Sequence, residues 1–160
     1  MIHPTARLHP LADVSADAAI GANTSVWQYA VVLAGARIGA DCNINCHTFV
    51  EGKAIIGDRV TLKSGVFVWN DITLEDDVFC GPNATFTNDR RPRSREHPQK
   101  FEAIRVMRGA SIGAGAVICP GLTIGTGAQI GAGAVITRDV PAGETWVGNP
   151  GRILIYKEAR

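Results

Sequence analysis

His47 is the side chain in this sequence best suited to accept a proton. It follows the apolar Ile44 by three residues, at what the local pattern makes an outward strand position facing a groove. A neutral imidazole serves as a general base near physiological pH; the alternative is a surface histidine with no role. Asn88 and Asp89 lie in a Thr-Asn-Asp step. A carboxylate there can hold an ammonium or orient an imidazole, or it can simply close an Asx turn. Glu51 and Lys63, one residue after Val50 and Leu62, can reach hydroxyl or diphosphate groups, or form a solvated ion pair. Trp27 and Trp69 also point outward, as aromatic residues do at a subunit contact or under a nucleobase. Arg90, Arg91, Arg93, Arg95, Lys100, Arg105 and Arg108 crowd one polar stretch, and arginine forks match phosphate oxygens. Without interleaved aromatics, that stretch does not read as a nucleic-acid surface. Cys42-x3-Cys46-His47 resembles half a metal site, but the second ligand pair a structural zinc needs is absent, so no metal is expected.

The elements that must position these groups follow a six-residue beat. Steps of six from Ile2 meet an apolar residue every time as far as Phe86, and again from Val106 to Ile136. A second set, four residues further on, is small or branched, as at Ala18, Thr24, Ala30 and Val66. Neither a helix nor a plain strand repeats every six residues. A short strand and a corner do, and three such units close one coil of a parallel β-helix. Ile-Gly recurs at Gly21, Gly39 and Gly57, and IGAGAVI at 112–118 and 130–136, each offset by 18 residues. Those corner glycines are expected to supply a positive φ. Five coils precede residue 87 and about two follow 105, a prism of roughly 33 Å at about 4.8 Å per stacked strand.

The chain of 160 residues carries a formal net charge of +1, which gives no overall electrostatic footprint for nucleic acid. It shows no charged-then-apolar leader and no apolar run near the ~18 residues of a membrane span, so a cytoplasmic protein with no membrane partner is expected. Four cysteines fit no disulfide framework for a chain of this size.

The repeat over residues 2–140 resembles the hexapeptide-repeat acyltransferases, whose consensus is [LIV]-[GAED]-x-x-[STAV]-x. The resemblance implies one all-β domain: a left-handed parallel β-helix of about seven coils, a long inserted loop at 87–105 and a closing segment at 141–160. That segment, with VGNPGR, is similar to the family ending V-x-G-N-P-A-[RK], with Gly151 in place of Ala. GPNATFTNDRRPRSR and the preceding KSGVFVWNDITLEDDVFCG resemble nucleotide-linked amino-sugar N-acyltransferases, especially those acting on dTDP-3-amino-3,6-dideoxyhexoses. Asn70 departs from the Asp of that pattern.

The resemblance implies an acetyl-CoA-dependent enzyme of surface-polysaccharide assembly, a homotrimer with its sites between subunits. Its acceptor would be a dTDP- or UDP-linked amino sugar, with a UDP-linked 3-amino-uronate as the runner-up. The rival from another class is a γ-carbonic-anhydrase-like zinc hydratase, which needs three convergent histidines, against His3, His9, His47 and His97 here. In acetyl transfer the amine must lose a proton before it attacks the thioester. No enzyme nucleophile is needed when both substrates are held together, and a corner N–H can receive the oxyanion. His47 is then the base or only orients the amine, with Asp89 beside it and Asn83 against the sugar or acyl group. Glu51, Lys63, Trp69, Asn88, Arg91 and Arg93 are the substrate-binding expectations. For coenzyme A the resemblance points to Gly115, Ala116, Gly133 and Ala134, with Asn149, Pro150 and Arg152 near the adenine and phosphate end.

Overall fold

The computed structural model describes residues 1–96 and 98–155. Among them all regular structure is strand, mostly two residues long, wound into three ladders of nine, seven and six strands that are parallel except for the last strand of the nine. The register advances by 18 residues at each rung: Arg7 pairs with Ser25, Val31 with Phe49 and Ile38 with Ile56. Seven coils are complete, and an eighth begins with the Ile124–Val140 bridge and the strand Thr145–Val147.

The two sequence ladders form the core. Ile44, Leu62, Ile112 and Ile124 from the first set, and Ala30, Val66, Ala116 and Ala134 from the second, are fully buried. Small side chains near the corners leave room for larger ones mid-strand, as close packing of an interior requires. The two buried polar side chains among the described residues are satisfied. Thr24 Oγ1 donates to Gly39 O (2.7 Å) and accepts from Cys42 N (3.0 Å), and Thr48 Oγ1 donates to Asn45 O (2.9 Å). Burial also raises the Cys42 thiol above its usual range and pushes Cys80 up to about 12, so both stay protonated.

The corner glycines work differently from expectation. Gly21, Gly39 and Gly57 do not have positive φ; they are bare because a Cβ would collide with the next coil, at Gly21 lying 2.5 Å from Ala40 N. The positive φ falls two residues later, at Asn23 (58°), Asp41 (56°), Arg59 (57°) and Asp77 (62°). Asn and Asp tolerate that conformation.

The inserted loop is shorter at its far end than 87–105. Ile104 is already buried and paired with Ile72, while Arg105 points outward, so the ladder resumes at Ile104–Val106. The closing segment covers exposed ladder edges. Thr145–Val147 adds to Gln129–Ile130, and Arg152–Ile153 folds back antiparallel on it. Val135 N donates to Gly148 O (2.9 Å) and Gly151 N to Val135 O (2.7 Å). Residues 156–160 of that segment, like His97, lie outside the described residues. No helix among the described residues is long and apolar enough to cross a membrane.

Candidate active site

The site is organised by one corner of the prism. Tyr29, His47, Gly65, Asn83, Gly115 and Gly133 occupy the same corner on successive coils, and all have positive φ. Corner amides and carbonyls tie the column together: Asn83 N donates to Ser64 O, Gly115 N to Pro82 O and Gly133 N to Ala114 O, at 2.9–3.0 Å. His47 therefore sits in a turn (φ 58°), not on a strand as expected, though it is exposed. The six-residue count locates outward positions without distinguishing mid-strand from corner. The backbone places His47 and Asn83 two coils apart, about 10 Å. Gly65 stands between them. A Cβ there would strike the Asn83 amide oxygen, so the glycine leaves that side chain room to lean back toward His47.

The inserted loop makes this edge concave. His47, Gly65 and Asn83 form a groove of about 710 Å³ with Phe67, Trp69, Phe86, Asn88, Asp89 and Pro92. That size suits a small-molecule site, and its apolar walls with a few convergent polar groups fit one too. Trp69 is a fixed wall: its Nε1 donates to Phe86 O (2.9 Å), and its ring packs 5.5 Å from Phe49 and 5.7 Å from Phe67. Asp89 Oδ1 accepts the Arg91 N–H at 2.8 Å, which is the Asx turn. Its second oxygen has no protein partner among the described residues. Asp89 and His47 line one groove but are not hydrogen-bonded to each other.

Several expected ligands lie elsewhere. Glu51 Oε2 accepts the Asn70 N–H at 2.6 Å, and Asn70 Oδ1 accepts the Lys53 N–H at 2.9 Å, so Glu51 braces a different corner and forms no pair with Lys63. Lys63 does not line the groove. Three of the clustered arginines are occupied: Arg90 with Glu102, Arg105 with Glu75 and Arg108 with Asp76. Arg91 flanks a smaller hollow of about 200 Å³ with Lys100, behind Asn88 and Asp89. Arg93 donates to Pro92 O (3.0 Å) on the exposed loop.

Of the coenzyme positions, Gly115 and Gly133 present bare backbone with open space where a Cβ would be. Ala116 and Ala134 face the core, and their backbone groups are already bonded, so neither offers a ligand anything. Asn149, Pro150 and Arg152 are exposed on the closing segment, with Arg152 Nη1 donating to Gly151 O (2.7 Å). Cys42 points inward to Gly57 O, Cys46 contacts Ser64 and His47 points outward, so the three do not converge. Among the described residues no three His, Cys, Asp or Glu side chains form a metal-binding group.

Tyr29, Gly65, Phe67, Phe86 and Ala114 were not anticipated. Stepping 18 residues from His47 reaches Tyr29, Gly65 and Asn83, and that was the available signal. Ala114 matters for its amide. At the neighbouring corner, Ala40 N and Asp58 N donate to the carboxylates of Asp58 and Asp76 on the next coil. The residue above Ala114 is Ala132, and among the described residues the Ala114 N–H has no acceptor. A second hollow of about 590 Å³ lies on the first two coils, around Trp27 and Arg7, away from the loop, with several of its polar groups already paired. Arg7 Nε is bonded to Ser25 Oγ, Trp27 Nε1 to Asn43 Oδ1, and His9 Nδ1 accepts from Leu11 N.

The coil repeat and the glycine-lined edge define a hexapeptide-repeat transferase, and the family model for bacterial transferase hexapeptide (six repeats) matches residues 103–138. A dTDP-3-amino-3,6-dideoxy-α-D-galactopyranose 3-N-acetyltransferase of Aneurinibacillus thermoaerophilus is 47% identical over 152 residues, covering 95% of this chain and 79% of that protein. The chain belongs to the nucleotide-linked amino-sugar N-acetyltransferases of the hexapeptide-repeat family. The stacked parallel coils are consistent with the family's left-handed β-helix. A GDP-perosamine N-acetyltransferase from Caulobacter crescentus, solved with CoA and GDP-perosamine, matches at 25% identity and TM-score 0.59. That match covers 95% of this chain and 57% of the other. An acetyltransferase domain from Neisseria gonorrhoeae, solved with acetyl coenzyme A, matches at 28% identity and TM-score 0.56, over 94% and 58% of the two chains.

Proposed function

We propose that this protein transfers an acetyl group from acetyl-CoA to the amino group of a dTDP-linked 3-amino-3,6-dideoxyhexose. The observation that carries this reading is the single corner edge. It presents an exposed imidazole at 47, an amide side chain at 83 and bare glycine backbone at 115 and 133, beside a groove closed by Asn88 and Asp89. The 47% identity to a dTDP-3-amino-3,6-dideoxygalactose N-acetyltransferase supports the acceptor.

The sugar amine, held by Asp89 and Asn83, gives a proton to His47 as its nitrogen attacks the thioester carbonyl carbon. The tetrahedral oxyanion lies against a corner N–H, for which Ala114 has the free amide. The C–S bond then breaks, the departing thiolate takes the proton back from the His47 imidazolium and leaves as the thiol of coenzyme A, and the amide is released. Trp69 walls the sugar or base side of the groove, and the diphosphate is assigned to Arg91 and Arg93 of the adjoining loop for their charge and fork geometry. The pantetheine arm runs over Gly115 and Gly133, and Asn149, Pro150 and Arg152 take the far end of the coenzyme.

We assign the active unit as a homotrimer. The outward residues of the seven-stranded ladder include Val31, Phe49, Phe67, Val117 and Val135, an apolar stripe beside the site corner. The other two ladders turn mainly polar residues out. We place the enzyme in the cytoplasm, where nucleotide sugars are made, and its product in surface-polysaccharide assembly.

The test is thiol release from acetyl-CoA against a panel of dTDP- and UDP-linked amino sugars. Turnover with one dTDP-linked 3-amino sugar is expected, and His47→Asn should lower kcat by about 10²–10⁴-fold. Absence of turnover across the panel, from folded protein that binds CoA, would show that the acceptor is wrong.

A further inference from the structure

We infer that Tyr29 is a positioning residue for the reaction, fixing the plane of the His47 imidazole by stacking on it. The inference rests on the reading of His47 as proton acceptor given above. The two rings lie on successive coils of the site corner, with centroids 5.1 Å apart and planes inclined by 22°. Such an offset stack resists rotation of either ring. Among the described residues the His47 ring nitrogens have no hydrogen-bond partner, so no carboxylate or carbonyl orients this imidazole as one commonly does at a catalytic histidine. The tyrosine ring is what holds it.

The backbone argues the same way. Of the non-glycine residues with positive φ, Asn23, Asp41, Asp71, Asp77 and Asn83 are of types that enter this region readily. Tyr29, at φ 60°, is a bulky aromatic in a conformation that strains it, and the same corner takes glycine at 65, 115 and 133. Arg59 and Arg95 share the conformation, but the Arg59 guanidinium is tied to Asp76 and Asp77, and Arg95 lies in the irregular inserted loop rather than at a coil corner. Tyr29 as a residue is 53% exposed, so burial in the core does not account for it either. A strained residue at a functional site is retained for what its side chain does there, and this one reaches His47.

The experiment compares Tyr29→Gly, Tyr29→Phe and His47→Asn in the full chain, with acetyl-CoA and the dTDP-linked 3-amino sugar. Glycine relieves the backbone strain, so Tyr29→Gly should unfold no more easily than the parent. Its kcat should nevertheless fall by at least about tenfold with both KM values nearly unchanged, since a small displacement of a reacting group is costly to rate. Tyr29→Phe should keep parental kcat. In proton NMR of the protein without substrates, the ring-current shift of the His47 ring protons should vanish in Tyr29→Gly and persist in Tyr29→Phe. Parental kcat in Tyr29→Gly, with His47→Asn inactive, would overturn the positioning role alone. Equal losses in Tyr29→Phe and Tyr29→Gly would overturn it in favour of the phenol hydroxyl. An unimpaired His47→Asn would remove the proton-acceptor reading and this inference with it.

Discussion

Asp89 serves two demands with one carboxylate. One oxygen closes the turn by which the chain leaves the coil, and the other has no protein partner among the described residues, on a side chain that lines the groove. The two are separable, because an asparagine carbonyl can accept the Arg91 N–H but carries no charge for an ammonium. Asp89→Asn is expected to keep the parental unfolding midpoint and lose about tenfold or more in kcat/KM, about 1.4 kcal/mol or more. Asp89→Ala should lose stability as well, and a calorimetric scan beside the kinetics separates the two effects. Gly65 makes a different demand. Its φ of 76° and the Asn83 amide against it both exclude a Cβ. Gly65→Ala is expected to cost upward of about 1 kcal/mol in urea unfolding and to weaken acceptor binding by displacing Asn83. Parental KM for the sugar in that variant would show that Asn83 is not used.

The loop is anchored at its base. Arg90 grips Glu102 with two bonds (3.0 and 2.8 Å) and reaches Pro120 O (2.9 Å), closing the ends of the excursion onto the following coil. Hydrogen bonding to Arg90 holds the Glu102 carboxyl below its usual range. A lowered carboxylate pKa adds stability that is complete above the unfolded value, about 4.3, and fades as pH falls through the lower folded one. Proteolysis within 91–101 should therefore be slow at neutral pH and accelerate below about pH 4. Arg90→Ala should be cut quickly at both pH values while its far-UV dichroism stays parental. Little of this anchor was legible in the sequence. Arg90 and Glu102 are joined across an irregular excursion, where no period relates residue number to position. The strands were legible because each inward residue repeats at a fixed interval, and Ile20 or Ile112 announces its burial by its place in the series. The corners were half legible. Stepping by 18 from His47 finds its neighbours, but the conformation of each corner residue depends on how closely the next coil approaches, which the series does not state. For the same reason Gly21 and its repeats were assigned a φ that belongs two residues on.

On the scale of the whole molecule, each coil touches only the coils above and below it, so stability is a sum of neighbouring interfaces. Ile112→Ala, in the middle of the stack, removes a fully buried side chain from the rung between Cys80 and Ile130. It should cost about 2–5 kcal/mol in denaturant unfolding, with hydrogen exchange rising most in the adjoining coils. An equal rise at the first coil would show that the stack unfolds as one unit. The corner edge also has a metric property. Along it residue number behaves as a graduation, each 18 residues marking one strand spacing of about 4.8 Å. The inserted loop adds chain between 83 and 115 without adding height, for Gly115 still bonds to Pro82 directly below. The interval between the proton acceptor and any bare glycine is thus set in whole rungs. Point substitutions can change what stands on a rung, but a donor with a longer or shorter arm must be matched by adding or removing an entire turn of the ruler.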